Sequence, residues 1–128
     1  KAIDTNVLVR FLVRDDARQA RIARQLIEAS AIWVPKTVLL ETEWVLRHAY
    51  GFERGAIAQA LRKVCGLRQV VVEDAAVVVQ ALAWLAADLD FADALHLASS
   101  QAALSFCTFD RKLAGKAARV ARVPVEAL

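Results

Sequence analysis

The chain has 128 residues, which suits one domain spanning 1–128 with a core large enough to need no staples. Apolar residues make up 58% of it, above the usual ~45–50%; the surplus reads as helical and leaves apolar surface for an oligomer interface, while no run of ~18 apolar residues lacks a charge, which excludes a membrane-spanning helix. The net charge of +3 is only mildly basic, and two cysteines, Cys65 and Cys107, both in apolar runs, read as buried free thiols, which argues against a disulfide scaffold and for a reducing cytoplasm.

Ala2–Ile3 is a short apolar lead that ends at Asp4, and Val7, Leu8, Phe11 and Leu12 then recur at helical spacing. Asp15 or Asp16 opens a second helix with Ile22, Leu26 and Ile27 inward. Ala31–Val34 reads as a strand closed by Pro35. An amphipathic helix runs from Thr37 to about His48 and ends near Gly51; another runs from Glu53 to Val64 and stops at Gly66. Val70–Val72 is a short β-branched strand, Asp74 to about Ala87 a helix, and Leu89–Asp90 a turn. A helix from Ala92 to about Ala102, a strand over Ser105–Phe109, a short helix after Asp110 and a last strand over Val123–Val125 complete the chain. Short apolar strands alternating with helices predict an α/β fold with a mainly parallel sheet covered on both faces. Such sheets hold ligands beyond the carboxyl ends of their strands. No secretory leader is visible. The lack of any methionine and the start on a strand-like segment suggest that the natural start lies before Lys1.

Four carboxylates stand out at or near those ends. Asp4 and Asp110 each follow an apolar strand and open a helix, which places them side by side at the carboxyl edge of a parallel sheet. The plain alternative for each is a helix N-cap, and the two roles are compatible. Glu41 shares a helical face with Val38, Trp44, Val45 and His48 and has no basic residue three or four positions away, so it is expected to point inward. Glu43 has Arg47 at i+4 and reads as a surface ion pair. Asp93, in DFADALHLA, also lacks a helical cation; Asp90 is the better N-cap, leaving Asp93 in the first turn, where a favourable helix dipole is the alternative explanation. If the four converge, their repulsion calls for a hard divalent cation, Mg²⁺ or Mn²⁺. Zinc is disfavoured by two histidines, His48 and His96, whose spacing makes no zinc motif; both read as packing residues. Trp33, Trp44 and Trp84 lie in apolar periodic runs and read as core or interface. The cations gather at the ends of the chain, with Arg10, Arg14, Arg18, Arg21 and Arg24 early and Arg111, Lys112, Lys116, Arg119 and Arg122 late. They are either solvated helix faces or flanks for a phosphate backbone.

DTNVLVRFL, TVLLETEWVLR, LDFADALHLA and TFDRKLA together resemble the four acidic blocks of PIN domains, in order and spacing along nearly the whole chain. The YGF after the second block is similar to VapC-type toxins. The resemblance implies a PIN-like three-layer α/β/α sandwich, an acidic quartet on Asp4, Glu41, Asp93 and Asp110, and polar support from Thr5, Asn6 and Thr108. It further implies Mg²⁺ (or Mn²⁺), metal-dependent hydrolysis of RNA phosphodiester bonds by an endoribonuclease, a homodimer, and a VapB-like antitoxin as partner in a toxin–antitoxin pair. The alternative on the same fold is a non-catalytic RNA- or partner-binding PIN module. A phospho-acceptor reading is weakened because DTN lacks the second Asp of a DxD motif, and a flap-endonuclease reading by the shortness of the chain.

Overall fold

Parallel strands cannot be joined by a tight turn, so the chain must return through a crossover before it can pair. That is how both strand pairs of this protein are built. The computed structural model describes residues 1–128 and falls into two compact units, Lys1–Ala75 and Ala76–Leu128.

In the first unit the order is α1 (Thr5–Leu12), α2 (Ala17–Ala29), β1 (Ile32–Val34), α3 (Lys36–His48), α4 (Arg54–Cys65) and β2 (Val70–Val72). β1 and β2 pair in parallel, Ile32 opposite Val70, with α3 and α4 as the crossover. The lead lies along the other side of β1: Trp33 N–H donates to the Lys1 carbonyl at 2.8 Å and Ile3 N–H to the Trp33 carbonyl at 3.2 Å. Lead, β1 and β2 run the same way, so Asp4, Lys36 and Glu73–Asp74 leave from one edge. There Lys36 N–H donates to Glu73 Oε1 at 3.1 Å and Lys36 Nζ pairs with Asp74 Oδ2 at 2.6 Å, which ties the start of α3 to the end of β2. The buried stripe is apolar at helical spacing: Leu8 and Val9 of α1, Ala20, Ala23 and Ile27 of α2, Leu39 and Leu46 of α3, Ile57, Leu61 and Val64 of α4. Gly51, at φ 71°, makes the left-handed turn out of α3 that a side chain would disfavour.

The second unit carries α5 (Ala75–Ala86, which begins at the boundary), α6 (Phe91–Ala98), β3 (Phe106–Thr108), α7 (Arg111–Val120) and β4 (Val125–Ala127). β3 and β4 are parallel, with Phe106 opposite Val125 and α7 as the crossover. α5 ends in a Schellman motif, with Asp88 N–H on the Leu85 carbonyl and Leu89 N–H on the Trp84 carbonyl. The left-handed position, φ 78°, is held by Asp88, whose carboxylate takes Lys116 Nζ of α7 at 3.2 Å.

The mixed α/β architecture with parallel strands is the one expected, and every pairing in it is parallel. Several boundaries differ. α6 stops at Ala98 because Ser100 Oγ and Gln101 Nε2 donate to the His96 and Leu97 carbonyls and take over its last turn. The final strand starts at Val125, past Pro124, which has no N–H to give a ladder. The cysteines are not a buried pair: Cys65 is half-buried, with burial raising its thiol pKa, and Cys107 is exposed. Only Trp84 joins the core; Trp33 and Trp44 are exposed.

Candidate active site

Asp4 sits where the lead ends and α1 begins. Its Oδ1 accepts the Val7 N–H at 3.1 Å, so it is a working N-cap, and the side chain is exposed. Thr5 is buried as the first residue of α1. Asn6 is exposed and shares with Asp4, Arg10 and Gln19 the wall of a shallow cleft of about 270 Å³.

Glu41 corrects the sequence reading. It is exposed on α3, and Glu43 is the buried acid, with 2% of its surface accessible. The buried stripe of α3 is Leu39, Thr42, Glu43 and Leu46, on the side of the helix opposite Glu41, Trp44 and His48. A carboxylate tolerates burial when a cation and hydrogen bonds replace its water. Arg47 supplies both, donating through Nε to Oε1 at 2.8 Å and through Nη2 to Oε2 at 3.4 Å. On the outer face the Trp44 and His48 rings meet at 4.7 Å between centroids and both side chains are exposed, which corrects the packing reading of His48 and leaves Trp44 the interface reading alone.

In the second unit, Asp90 is the N-cap of α6, its Oδ2 taking the Asp93 N–H at 3.2 Å, and Asp93 stands half-buried in the first turn. Its carboxyl pKa is raised, first by burial and then by the charges of Asp90 and Asp110, with the exposed His96 acting the other way. Asp93 and Asp110 therefore lie within one another's electrostatic reach, and neither has a Lys or Arg partner in the unit. Asp110 leaves the carboxyl end of β3 and caps α7, Oδ1 accepting from Leu113 N–H at 3.0 Å. Its own N–H donates to Thr108 Oγ1 at 3.0 Å, so the hydroxyl before the acid fixes the backbone that carries it.

Asp4 and Glu41 thus belong to the first unit and Asp93 and Asp110 to the second. No group of three or more His, Cys, Asp or Glu is gathered closely enough to hold a metal ion. The chemistry of the donors still fits a hard cation. They are carboxylate oxygens, and burial together with the charges of Asp90 and Asp110 raises the cost of charging Asp93, which a divalent ion would offset.

The family model of the PIN domain matches residues 1–119. The chain belongs to the PIN domain family. PIN domains are generally metal-dependent nucleases, so this chain has a nuclease-type fold. No curated protein and no solved structure matches it. No helix is long and apolar enough to cross a membrane.

Sequence reasoning missed one polar cluster of this PIN domain. Tyr50 of the YGF segment donates its O–H to Asp15 Oδ2 at 2.7 Å. Arg10 donates to Asp15 Oδ1 at 3.0 Å, to the Tyr50 oxygen at 3.3 Å and to Gln19 Oε1 at 2.6 Å. The cluster ties the end of α3 to the α1–α2 turn beside Asp4. Tyr50 and Asp15 are 35 residues apart, beyond any helical spacing that a sequence displays.

Proposed function

We propose that this PIN protein is a metal-dependent endoribonuclease that hydrolyses RNA phosphodiester bonds and acts as the toxin of a toxin–antitoxin pair. The observation that carries the reading is Asp93, half-buried in the first turn of α6 with no Lys or Arg partner, its carboxyl pKa raised by burial and by the charges of Asp90 and of Asp110, which stands at the end of β3 and the start of α7. A purely structural acid would have been given a partner, as Glu43 has been given Arg47. In this reading the two units make one PIN domain, consistent with a family match that runs through both. Asp4 and Glu41 complete the acidic quartet.

Asp4, Glu41, Asp93 and Asp110 hold Mg²⁺ (or Mn²⁺), directly or through water, and a bound ion would lower the pKa of a water and offset charge on the scissile phosphate. The chain's part is to position these oxygens. Asp4 and Asp110 are locked by their cap hydrogen bonds, Thr108 holds the backbone of Asp110, and Thr5 and Asn6 flank Asp4. No side chain is needed to activate the RNA 2′-hydroxyl, so the products are a 5′-phosphate and a 3′-hydroxyl.

A homodimer and a small VapB-like antitoxin complete the proposal, in the cytoplasm. Two features support partners. α3 shows an exposed Trp44, and a groove of about 530 Å³ along α1 and α4, lined by Phe11, Leu12, Ala60 and Val64, has Arg14 and Lys63 at its rim. The non-catalytic alternative is not favoured, because a binding module has no need for a half-buried acid left without a Lys or Arg partner. The test is cleavage of total RNA with Mg²⁺, with EDTA, and with Asp93→Asn. Cleavage that persists in EDTA, or unchanged by the substitution, overturns the reading.

A further inference from the structure

Between Thr108 and Asp110 stands Phe109, with 83% of its surface exposed, more than any other aromatic side chain of the protein. Nothing in the fold uses the ring. Yet its two neighbours are tied down, the Asp110 N–H donating to Thr108 Oγ1 at 3.0 Å and the Asp110 carboxylate accepting from the Leu113 N–H at 3.0 Å. The ring therefore stands on a rigid stub directly beside an acid of the proposed site. The next two residues, Arg111 and Lys112, are exposed and form no ion pair, whereas Lys116 of the same helix is engaged by Asp88. They occupy the first turn of α7, where the N-cap Asp110 is the sole acid against two cations. Cations there face the positive end of the helix dipole, so their placement is unfavourable for the helix alone. An apolar ring in water and two cations at the wrong end of a helix are both explained by a ligand with a flat apolar face and a negative backbone.

We infer that Phe109 is a stacking platform for one base of a single-stranded RNA, with Arg111 and Lys112 holding the adjoining phosphates and so positioning the strand over Asp110. This rests on the nuclease reading for its location. Stacking selects single strands, because the bases of a duplex already cover one another's faces, and it tolerates any base. Phe109 is thus a positioning and specificity residue that never touches the reacting atoms.

The experiment is binding in EDTA, read by fluorescence anisotropy with a labelled oligouridylate, free and annealed to oligoadenylate. Phe109→Ala should weaken single-strand binding about tenfold; Phe109→Leu should stay weak and Phe109→Trp should restore it, with duplex binding equal in all three. Arg111→Gln and Lys112→Gln should each lower the slope of log affinity against log salt by about 0.7, the value of one phosphate contact on a single strand. Parent-like single-strand binding by Phe109→Ala overturns the proposal. So does full recovery by Phe109→Leu, which would mean apolar packing, or a change in the protein's mass by light scattering, which would mean an interface between copies. Because binding is read without metal, it is independent of cleavage. A chain that cuts RNA but binds it equally without Phe109 loses only the platform, and one that binds through Phe109 but never cuts loses only the nuclease reading.

Discussion

Arg47 Nε lies 2.8 Å from Glu43 Oε1, one turn away on α3, and this contact is what lets a carboxylate with 2% exposure sit in the interior of the first unit. The pair is a structural device, and the protein keeps its structural acid compensated. Removing Arg47 would leave a buried charge alone, which costs about 3–5 kcal/mol. Arg47→Ala should accordingly lose about that much in urea denaturation, while Glu43→Leu with Arg47→Leu together should recover most of it. Equal losses in the single and double variants would show that the packing of Arg47 matters and its charge does not.

The cluster of Arg10, Asp15 and Tyr50 makes a pH-dependent contribution. The Tyr50 O–H, and then the Arg10 charge, hold the Asp15 pKa below its usual value, while Asp15 raises the pKa of Tyr50. A depressed acid stabilises the fold above its unfolded pKa, about 3.9, and the gain is lost as pH falls through the lower folded value. The raised Tyr50 stabilises below about 10 and loses that as pH rises through its folded value. Tyr50→Phe should therefore melt below the parent at pH 7, and the gap should narrow at pH 3 and again above pH 11. A gap that does not change with pH would mean that the O–H contributes through packing alone.

Much of this was legible in the sequence, for physical reasons that differ by residue. Asp4, Asp16, Asp90 and Asp110 cap helices where they were expected to begin, because an N-cap is a local event within three residues. The parallel strands followed from apolar runs separated by helices. Glu41 and Glu43 were read on opposite faces from those they occupy. The lack of a cation near Glu41 suggests burial, yet it is Glu43 whose burial Arg47 makes possible, and sequence alone does not rank a paired acid in the core against an unpaired one in water. For Trp33 and Trp44 the sequence leaves core and interface open, because hydrophobicity does not say which side of a strand or helix the fold will cover; their exposure removes the core. The Tyr50 cluster was invisible because its members meet only through tertiary structure.

Asp93→Asn removes one charge from a repelling pair. In EDTA its melting temperature should stay level or rise. With Mg²⁺ the parent should gain stability by mass action, about 2.7 kcal/mol at a hundred times Kd, and the variant should gain little. A variant that melts lower in EDTA and responds to Mg²⁺ like the parent would make Asp93 a structural residue.

Glu41 offers a sharper contrast, since it is exposed and contributes to neither cap nor ion pair. Glu41→Gln should change stability by less than about 0.5 kcal/mol, as for an ordinary surface substitution, while RNA cleavage with Mg²⁺ falls at least tenfold. Undiminished cleavage would take Glu41 out of the quartet.

Asp4 is the case in which two roles must be separated, because it is both an N-cap and a member of the proposed quartet. Asn caps a helix about as well as Asp, since the cap needs only an oxygen to accept the Val7 N–H. A metal ligand at this position needs the charge as well. Asp4→Asn should thus keep the stability of the parent and lose cleavage by orders of magnitude. Asp4→Ala should lose cleavage and also about 1 kcal/mol of stability, the usual worth of a cap. Asp4→Ser, a good cap without a carboxylate, should behave as Asn does. The three variants turn one residue into a two-way comparison, with stability read by melting in EDTA and activity by cleavage in Mg²⁺. If Asn and Ser cut RNA at the parent rate while Ala melts lower, Asp4 serves α1 alone and the quartet loses its first member.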